Sequence, residues 1–442
     1  RGPRMSAGLN RWKPYPAYKE SGVEWLGQVP EGWEVKRLKF GVDNINQKCL
    51  EEAPLTPFVA LEHIEPWTGK LMVDESSQSD GQPSCYQSDD VLFCKLRPYL
   101  AKVHLAKVNG ICTSELLVLR AQHGIFPKYL HRFLLSRDTI DCITASTYGA
   151  KMPRANWEFI GNLLLPIPPL PEQRAIAAFL DQQCAQIDSL IEKKQRMLDL
   201  LDEKRRAVIT QAVTRGLDPT VPMKDSGVEW LGKVPEGWKV GRVAFGYDIV
   251  LGKMLQPSPN SEKDIAVPYY RAMNVQWESI DSDLKVMWAT PEEIKTFSVR
   301  QGDMLVCEGG EVGRAAIINL PVDEPTIIQN ALHRVRSFKD CNICYLLRVL
   351  EHVASADWFS VLCNKSTIAH FTGEKFKALK CPPPPLPEQQ AIADYLDAQC
   401  AAMDSQRKNL EKSIELLREY RASLITHAVT GKIDVRDVAP LQ

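Results

Sequence analysis

The stretch PPLPEQRAIAAFLD, from Pro168 to Asp181, returns as PPLPEQQAIADYLD from Pro384 to Asp397, and 11 of its 14 positions are identical. Proline is tolerated in the first turn of a helix, where the missing N–H costs nothing, and the glutamate that follows suits the positive end of the helix dipole. After each of these stretches no Pro or Gly occurs until Gly216 and Gly431. The sequence therefore predicts two helices of roughly 40 residues, each about 60 Å long.

A second block is duplicated in the same order, upstream of each predicted helix. Ser21 to Val35, SGVEWLGQVPEGWEV, returns as Ser226 to Val240, SGVEWLGKVPEGWKV, with 13 of 15 positions identical. The chain is thus two tandem copies of a unit of roughly 210 residues, which is long enough for each copy to have its own core. Short apolar runs punctuated by Pro, Gly, Asn and Asp precede each helix and predict a mixed α/β module. Two similar modules predict two similar sites.

Apolar residues in both predicted helices recur at the 4,3 spacing of a coiled coil, so the simplest partner for each helix is the other one. The alternative is that each helix packs only on its own module. Charged residues interrupt this seam, and polar seam positions usually fix the register or face a third partner. The predicted seam contains Leu180, Ile187, Ile191, Leu198, Leu201 and Arg205 in the first helix, and Leu396, Met403, Leu410, Ile414, Leu417 and Arg421 in the second.

Composition and charge place few further limits on function. The 442 residues are 44% hydrophobic and carry a net charge of −1, which argues against a protein held to nucleic acid by phosphate contacts alone. No apolar run of 18 residues and no secretory signal is present, so we expect a cytoplasmic protein. The cysteines lack the spacing of a zinc site, and no metal is expected. Arg1 to Arg4 precede Met5, a plausible start of the native chain, and are set aside.

The two duplicated blocks, the order module, helix, module, helix, and the segments VLFCKLRPYLAK (Val91 to Lys102) and CEGGEVGRAA (Cys307 to Ala316) resemble the specificity subunits of type I restriction-modification enzymes. The resemblance extends from about Tyr15 to Asp434, nearly the whole chain. It implies an α+β protein in which two tandem target recognition domains are separated by two long helices that form an antiparallel coiled coil with pseudo-twofold symmetry. The expected boundaries are 15–167 and 219–380 for the two domains, and 168–218 and 381–434 for the two helices.

The resemblance also implies a function and a set of partners. Such a subunit reads a bipartite, asymmetric target in double-stranded DNA and directs two adenine methyltransferase (modification) subunits and the restriction/translocase subunits to it. It has no catalytic centre of its own. We therefore expect this chain to bind no cofactor, and S-adenosylmethionine, ATP and Mg²⁺ to be bound by the partner subunits.

The residues themselves are consistent with the absence of catalysis. The chain has no Asn-Pro-Pro-aromatic or Asp-Pro-Pro-aromatic tetrad for a flipped adenine and no Walker A sequence, and the glycines from Gly309 to Gly313 are too close together for G-x-G-x-x-G. Two other functions stay open at the level of sequence. One is a non-catalytic protein-protein scaffold with two interaction modules on a coiled-coil rod. The other is an enzyme whose active site is scattered across the fold.

Comparing the two copies indicates where DNA would be read. Asp90 to Cys94 (DVLFC) aligns with Asp303 to Cys307 (DMLVC), but the residues that follow differ completely, and PFVALEHI from Pro57 aligns with PYYRAMNV from Pro268. A shared scaffold with different loops would read two different half-sites. Arg can bond to guanine, Asn to adenine, and Lys to phosphates. The predicted DNA-facing residues are Lys95, Arg97, Tyr99, Lys102, Arg271, Asn274, Arg314, Arg334 and Lys365.

Overall fold

The computed structural model describes residues 12–48, 57–72, 82–122, 124–149, 151–338, 340–363 and 370–436. They form two compact units. The first lies within Arg1–Gln195 and Glu411–Gln442, and the second within Arg196–Leu410. Each unit thus holds one α/β module together with part of each long helix. Over the described part of the chain, no helix has the length and apolar character needed to cross a membrane.

The first unit is built on a four-stranded antiparallel sheet in the order β4-β10-β7-β8, with a second, three-stranded sheet in the order β5-β9-β6. Its strands are β1 (Tyr18–Glu20), β2 (Gln28–Pro30), β3 (Glu34–Arg37), β4 (Val42–Ile45), β5 (Phe58–Val59), β6 (Ser84–Tyr86), β7 (Val91–Cys94), β8 (Val103–Leu105), β9 (Gly110–Cys112), β10 (Leu116–Ala121) and β11 (Leu164–Ile167). Its helices are α1 (Pro127–Leu134), α2 (Arg137–Ala145), α3 (Trp157–Asn162) and the first part of α4 (Leu170–Arg215), with 3-10 helices at Leu38–Phe40 and Pro98–Leu100.

Strand β7 shows why the four-stranded sheet is buried on both faces. All four of its side chains are buried. Because successive side chains point to opposite faces, Val91 and Phe93 pack in the core that contains α1 and α4, whereas Leu92 and Cys94 pack in a second core beneath β5, β6 and β9. The sheet therefore separates a helical layer from the smaller sheet.

The second unit repeats this plan. Its four-stranded sheet runs β15-β23-β20-β21, and its three-stranded sheet runs β19-β16-β22. The strands are β12 (Met223–Asp225), β13 (Lys233–Pro235), β14 (Gly241–Arg242), β15 (Tyr247–Leu251), β16 (Ile265–Tyr270), β17 (Val275–Gln276), β18 (Ser279–Ile280), β19 (Lys285–Ala289), β20 (Met304–Cys307), β21 (Ala315–Ile317), β22 (Ile327–Ile328), β23 (Leu332–Ser337) and β24 (Lys380–Cys381). The helices are α5 (Pro291–Phe297), α6 (Ile343–Ser355), α7 (Trp358–Leu362), α8 (Gly373–Ala378) and α9 (Leu386–Val429), with 3-10 helices at Val243–Phe245 and Ala272–Asn274.

The two duplicated sequence blocks contact each other inside each unit. In the first unit Trp33 Nε1 donates to Glu172 Oε1 at 3.0 Å, and in the second Trp238 Nε1 donates to Glu388 Oε2 at 3.2 Å. Both tryptophans are buried. The Trp of VPEGW is thus bonded to the Glu of PPLPEQ, which explains why the two blocks recur together and confirms the two-copy architecture.

The neighbouring glutamine joins each long helix to its module. Gln173 accepts from the N–H of Phe126 at 2.8 Å and donates to the carbonyls of Gly124 and Pro168. Gln389 accepts in the same way from the N–H of Asn342 at 2.9 Å. Both side chains are buried, so their amides complete the bonding of backbone groups that water does not reach. PPLPEQ therefore both starts the long helix and holds that helix to its module.

The two long helices pack against each other, as the seam predicted, and run antiparallel, as the resemblance implied. In the second unit Arg407 pairs with Asp202 and Arg205 Nη1 lies 3.3 Å from Asp404 Oδ1, so numbering falls along α9 as it rises along α4. In the first unit Arg421 Nε donates to Asp188 Oδ1 at 2.9 Å. Seam residues buried along the two helices are Leu180, Ile187, Leu198, Leu201, Leu396, Met403 and Ile414, while Ile191, Leu410 and Leu417 are half-buried.

The charged seam residues connect the helices to the modules. Arg421 Nη1 donates to the carbonyl of Trp67 at 2.9 Å, and Trp67 has a left-handed backbone with φ of 64°. Arg205 bonds Glu278, which also has a positive φ, 61°, and Glu351 at 3.0 Å. Trp67 and Glu278 occupy corresponding positions when PFVALEHI is aligned with PYYRAMNV. In each unit one arginine thus ties the helix pair to the same loop.

Candidate nucleic-acid interface

In the first unit the turn that follows β7 is held by its backbone and leaves side chains free. The N–H of Lys95 donates to the carbonyl of Glu115 at 3.0 Å, and the N–H of Arg97 donates to that of Pro153 at 2.8 Å. Arg97 has a left-handed backbone with φ of 50°, which is unusual for a residue with a Cβ atom. Its side chain is exposed, and that of Tyr99 is 44% exposed. A rigid backbone therefore presents a guanidinium and a phenol to solvent.

A second loop next to this turn was missed in the sequence. Leu96 and Tyr148 both form backbone bridges with Arg154, so the loop that carries Tyr148, Lys151 and Arg154 lies beside the turn. Tyr148, Lys151 and Arg154 are exposed. The signal that could have found them is the acid-free stretch from Cys142 to Trp157, which contains one Lys and one Arg. Basic and aromatic side chains from two loops thus share one surface of the first unit.

The equivalent turn of the second unit, after β20, shares a backbone hydrogen bond with the first but carries different side chains. The N–H of Glu308 donates to the carbonyl of Ala331 at 3.0 Å, as that of Lys95 does to Glu115 in the first unit. The turn itself needs Gly310 and Gly313, whose φ values are 76° and 79°, and a Cβ atom at Gly313 would lie 2.1 Å from the ring of Phe359. This turn offers backbone groups and carboxylates where the first unit offers Arg97 and Tyr99.

Lys102 and Arg314 occupy corresponding places and make the same internal contact. Lys102 Nζ donates to the carbonyl of Leu61 at 2.6 Å, and Arg314 Nη2 donates to the carbonyl of Ala272 at 3.1 Å. Leu61 and Ala272 are themselves equivalent in the alignment of the two copies. Arg314 is also paired with Glu311 at 3.0 Å. Both cations hold a loop against the sheet, and this internal contact uses part of the hydrogen-bonding capacity of each.

Three other predicted DNA-facing residues of the second unit are used inside the module. Asn274 is 1% exposed, accepts from the N–H of Arg271 at 2.9 Å and donates to the carbonyl of Asp283. Arg271 Nη2 donates to the same carbonyl at 2.8 Å. Arg334 is buried and donates to the carbonyls of Thr296 and Ser298. The ninth predicted residue, Lys365, lies outside the described residues.

Two buried histidines near the turns carry no positive charge at neutral pH. His104 Nδ1 lies 2.8 Å from the carbonyl of Gly69, and His333 Nε2 lies 2.8 Å from the carbonyl of Phe371. Burial lowers the pKa of both side chains, because a low-dielectric environment disfavours the imidazolium form. They stabilise backbone and add nothing to phosphate binding. Among the described residues no three His, Cys, Asp or Glu side chains are grouped so that they could hold a metal ion.

The family model described as "Type I restriction modification DNA specificity domain" matches residues 68–198 and 235–416. A type I restriction enzyme specificity subunit of Methanocaldococcus jannaschii, MjaVIII, is 23% identical over 447 residues, which cover 95% of this chain and 98% of that protein. The EcoDI specificity subunit of Escherichia coli is 26% identical over 206 residues, 45% of this chain and 46% of the relative.

Two solved structures share the fold. One comes from a study of complex assembly and conformational transition of the type I R-M system and superposes with a TM-score of 0.68 at 21% identity, over 92% of this chain and 99% of the other. The HsdS subunit of Thermoanaerobacter tengcongensis gives a TM-score of 0.55 at 19% identity, over 92% and 98% of the two chains.

Proposed function

The chain belongs to the family of type I restriction-modification DNA specificity domains, and from that premise we propose that it reads a bipartite, asymmetric DNA target. One observation carries this proposal. The two modules repeat the same four-stranded sheet and the same backbone bond at the start of the turn, yet the turns after β7 and β20 present different groups at the same place. Two modules that share a sheet but differ in these turns suit two different half-sites.

The chemistry of the two turns supports different base preferences. The side chain of Arg97 is exposed on a rigid turn and can donate two hydrogen bonds to guanine, one to O6 and one to N7. The exposed rings of Tyr99 and Tyr148 offer planar contact surface. In the second unit Glu308 is a carboxylate that can accept from the amino group of cytosine, whereas Glu311 already accepts from Trp277 and Arg314. The half-buried Lys95 and the exposed Lys151 and Arg154, the last of which is also paired with Glu115, would position the phosphate backbone.

We propose that partner subunits perform all chemistry. Two copies of an adenine methyltransferase subunit would dock on the chain, and restriction/translocase subunits would join them for cleavage. S-adenosylmethionine, ATP and Mg²⁺ would be bound by those partners and not by this chain. Partners that contribute phosphate contacts of their own would explain how a reader of DNA has a net charge of only −1.

Methylome sequencing tests the proposal directly. A host without other adenine methylation would express the modification subunit alone, or together with this chain. We expect a two-part methylated motif, with unread bases between the parts, only when both proteins are present. Methylation at the same sites without this chain, or no methylation with it, would refute the proposed function.

A further inference from the structure

An exposed aromatic side chain stands at the base of the first module. Phe40, in the sequence RLKFG, ends the 3-10 helix Leu38–Phe40 and is 71% exposed, although the other apolar member of that helix, Leu38, is fully buried. Exposing a phenylalanine forgoes the free energy gained by burying its ring. Folding of the module therefore does not explain this side chain.

The second module has the same feature at the same place. Phe245, in the sequence RVAFG, ends the 3-10 helix Val243–Phe245 and is 77% exposed. In each unit an exposed leucine opens the long helix, Leu170 in α4 and Leu386 in α9, and both are 38% exposed. The exposed Phe and the exposed Leu are thus identical in the two copies, whereas the turns after β7 and β20 are not.

In the first unit this pair borders a defined groove. Phe40, Ile125, Ile167 and Leu170 form the apolar part of a groove of about 340 Å³ between the 3-10 helix and the start of α4, and the charged side chains of Glu34 and Lys36 also line it. The floor is rigid, because the N–H of Leu38 donates to the carbonyl of Leu163 at 2.8 Å and β3 pairs with β11. The apolar part of this groove, on a rigid floor, suits an apolar side chain of another protein.

Exposed basic side chains border this surface in both units, and in the first unit Glu34, which lines the groove, is paired with Lys36. Exposed Arg37 and Lys39 flank Phe40, and Lys39 Nζ lies 5.7 Å from the centroid of its ring. In the second unit Arg242 and Lys380, which are opposite each other in the β14-β24 pair, are exposed beside Phe245. A protein that covers either surface would therefore need an apolar residue bordered by carboxylates.

The identity of the two surfaces favours protein over DNA as the occupant. Side chains that read bases should differ between modules that read different half-sites, and a phenylalanine ring offers no hydrogen bond to a phosphate. Two equal surfaces on one chain instead suit two copies of the same partner, since equal surfaces bind equal molecules.

We propose that Phe40 with Leu170, and Phe245 with Leu386, form two equivalent docking points, each of which receives one copy of the same acidic-rimmed partner protein. The inference rests on the proposed function, because the modification subunit is the partner that would be present in two copies. It adds to that function the residues through which each copy is bound at its module.

Binding stoichiometry tests the inference. The full chain would be mixed with purified modification subunit from the same host, and the mass of the complex and the affinity would be measured by light scattering and calorimetry. Variants Phe40→Ala and Phe245→Ala should each weaken one of two binding events about 10-fold or more, and the double variant should weaken both. Exposed apolar residues elsewhere provide matched controls, Val108→Ala in the first unit and Leu320→Ala in the second, and these should bind as wild type does.

The outcomes separate the inference from the function on which it rests. A double variant that binds two copies with wild-type affinity refutes the docking points, while the wild-type chain still directs methylation. A double variant that loses DNA affinity but keeps partner affinity also refutes them and assigns the surface to DNA. If the wild-type chain binds no modification subunit, both the inference and the proposed function fail.

Discussion

At the scale of single residues, exposure separates the side chains that can read DNA from those that hold the fold. Arg97 and Tyr99 project from a turn whose backbone is bonded on both sides, whereas Asn274 and Arg334 are buried and donate to backbone carbonyls of their own module. Both sets belong to residue types that recognise bases, so residue type alone does not distinguish them.

The variant Arg97→Ala should weaken one half-site only. If Arg97 contacts a base edge, we expect a loss of about 1 to 3 kcal/mol in binding of targets that carry the correct first half-site. Competition binding with half-site mutants of the target, using the chain with its modification subunit, measures this loss. Lys128→Ala removes the same charge from an exposed site on α1 and serves as the control. Equal losses at both half-sites would show that Arg97 acts on the fold and not on a base.

Acid should destabilise the first unit through His131. This histidine is buried, and its Nε2 lies 3.1 Å from the carbonyl of Val103. Burial lowers its pKa from 6.5 to about 3, so between those values the unfolded chain binds a proton that the folded chain does not. Stability is therefore complete above about pH 6.5 and decreases as the pH falls towards 3.

Between pH 6.5 and pH 5 we expect His131 alone to account for about 2 kcal/mol of the decrease in the free energy of unfolding. Urea denaturation followed by tryptophan fluorescence at the two pH values measures it. His131→Gln, which keeps a donor for the carbonyl of Val103, should reduce this pH dependence. A slope unchanged in the variant would show that other groups are responsible.

At the scale of elements, the charged positions in the helix seam have a structural explanation. Arg421 bonds Asp188 across the helix pair and Trp67 in the module, and Arg205 bonds Asp404, Glu351 and Glu278 in the same manner. A hydrophobic residue at either place would strengthen the seam locally but would break the connection between helix and loop. Charged seam residues here fix the register and anchor a module.

Replacing Arg421 by methionine should destabilise the first unit by about 2 to 4 kcal/mol, because Asp188 and the carbonyl of Trp67 lose a buried partner. Arg418→Met on the same helix is the control, since Arg418 is exposed. Chemical denaturation of both variants gives the comparison. Equal stability of the two variants would mean that Lys70, 3.3 Å from Asp188, is sufficient to compensate the carboxylate.

If the proposed function holds, we expect the length of the two long helices to set the number of unread bases between half-sites. The end of α4 is a poor place to test this, because Ala212 and Val213 are buried and Tyr345 donates to the carbonyl of Val213. The pairs Asp202–Arg407 and Arg205–Asp404 show instead that Asp199 and Leu410 are opposite each other. Matched insertions are therefore possible in the middle of the helices.

One heptad inserted between Asp199 and Leu200, and another between Asn409 and Leu410, would keep the 3.5-residue seam and add about 10 Å of helix. At 3.4 Å per base pair we expect methylation of the same half-sites with a gap longer by about three base pairs. Methylome sequencing reads the gap directly. An unchanged gap in a variant that folds and binds its partner would show that helix length does not set the distance between the half-sites.

At the scale of the whole molecule, the proposed function assigns recognition to this chain and chemistry to its partner subunits. We expect the purified chain to neither methylate nor cut DNA, and methyl transfer to appear when the modification subunit is added. A radiolabelled methyl transfer assay on target DNA, with and without the partner, measures this. Transfer by a preparation shown to be free of the partner would contradict the assignment of chemistry to other subunits.

The sequence by itself determined the two-copy plan, the long helices and the seam between them, while their antiparallel direction was implied by the family resemblance. These features depend on patterns local to the chain: a proline-glutamate helix start, a 3.5-residue period, and blocks repeated in order. The pairing of Trp33 with Glu172 also left a trace in the sequence, because both partners recur in the second copy.

Only the tertiary structure decided which side chains face solvent. Lys102 reaches the carbonyl of Leu61, and Arg334 those of Thr296 and Ser298, across separations of 41, 38 and 36 residues. Tyr148 and Arg154 reach the turn of Arg97 through a loop more than 50 residues away. A long cation satisfies a buried carbonyl or a DNA phosphate with the same donors, so only the position of the chain around it determines which of the two it meets.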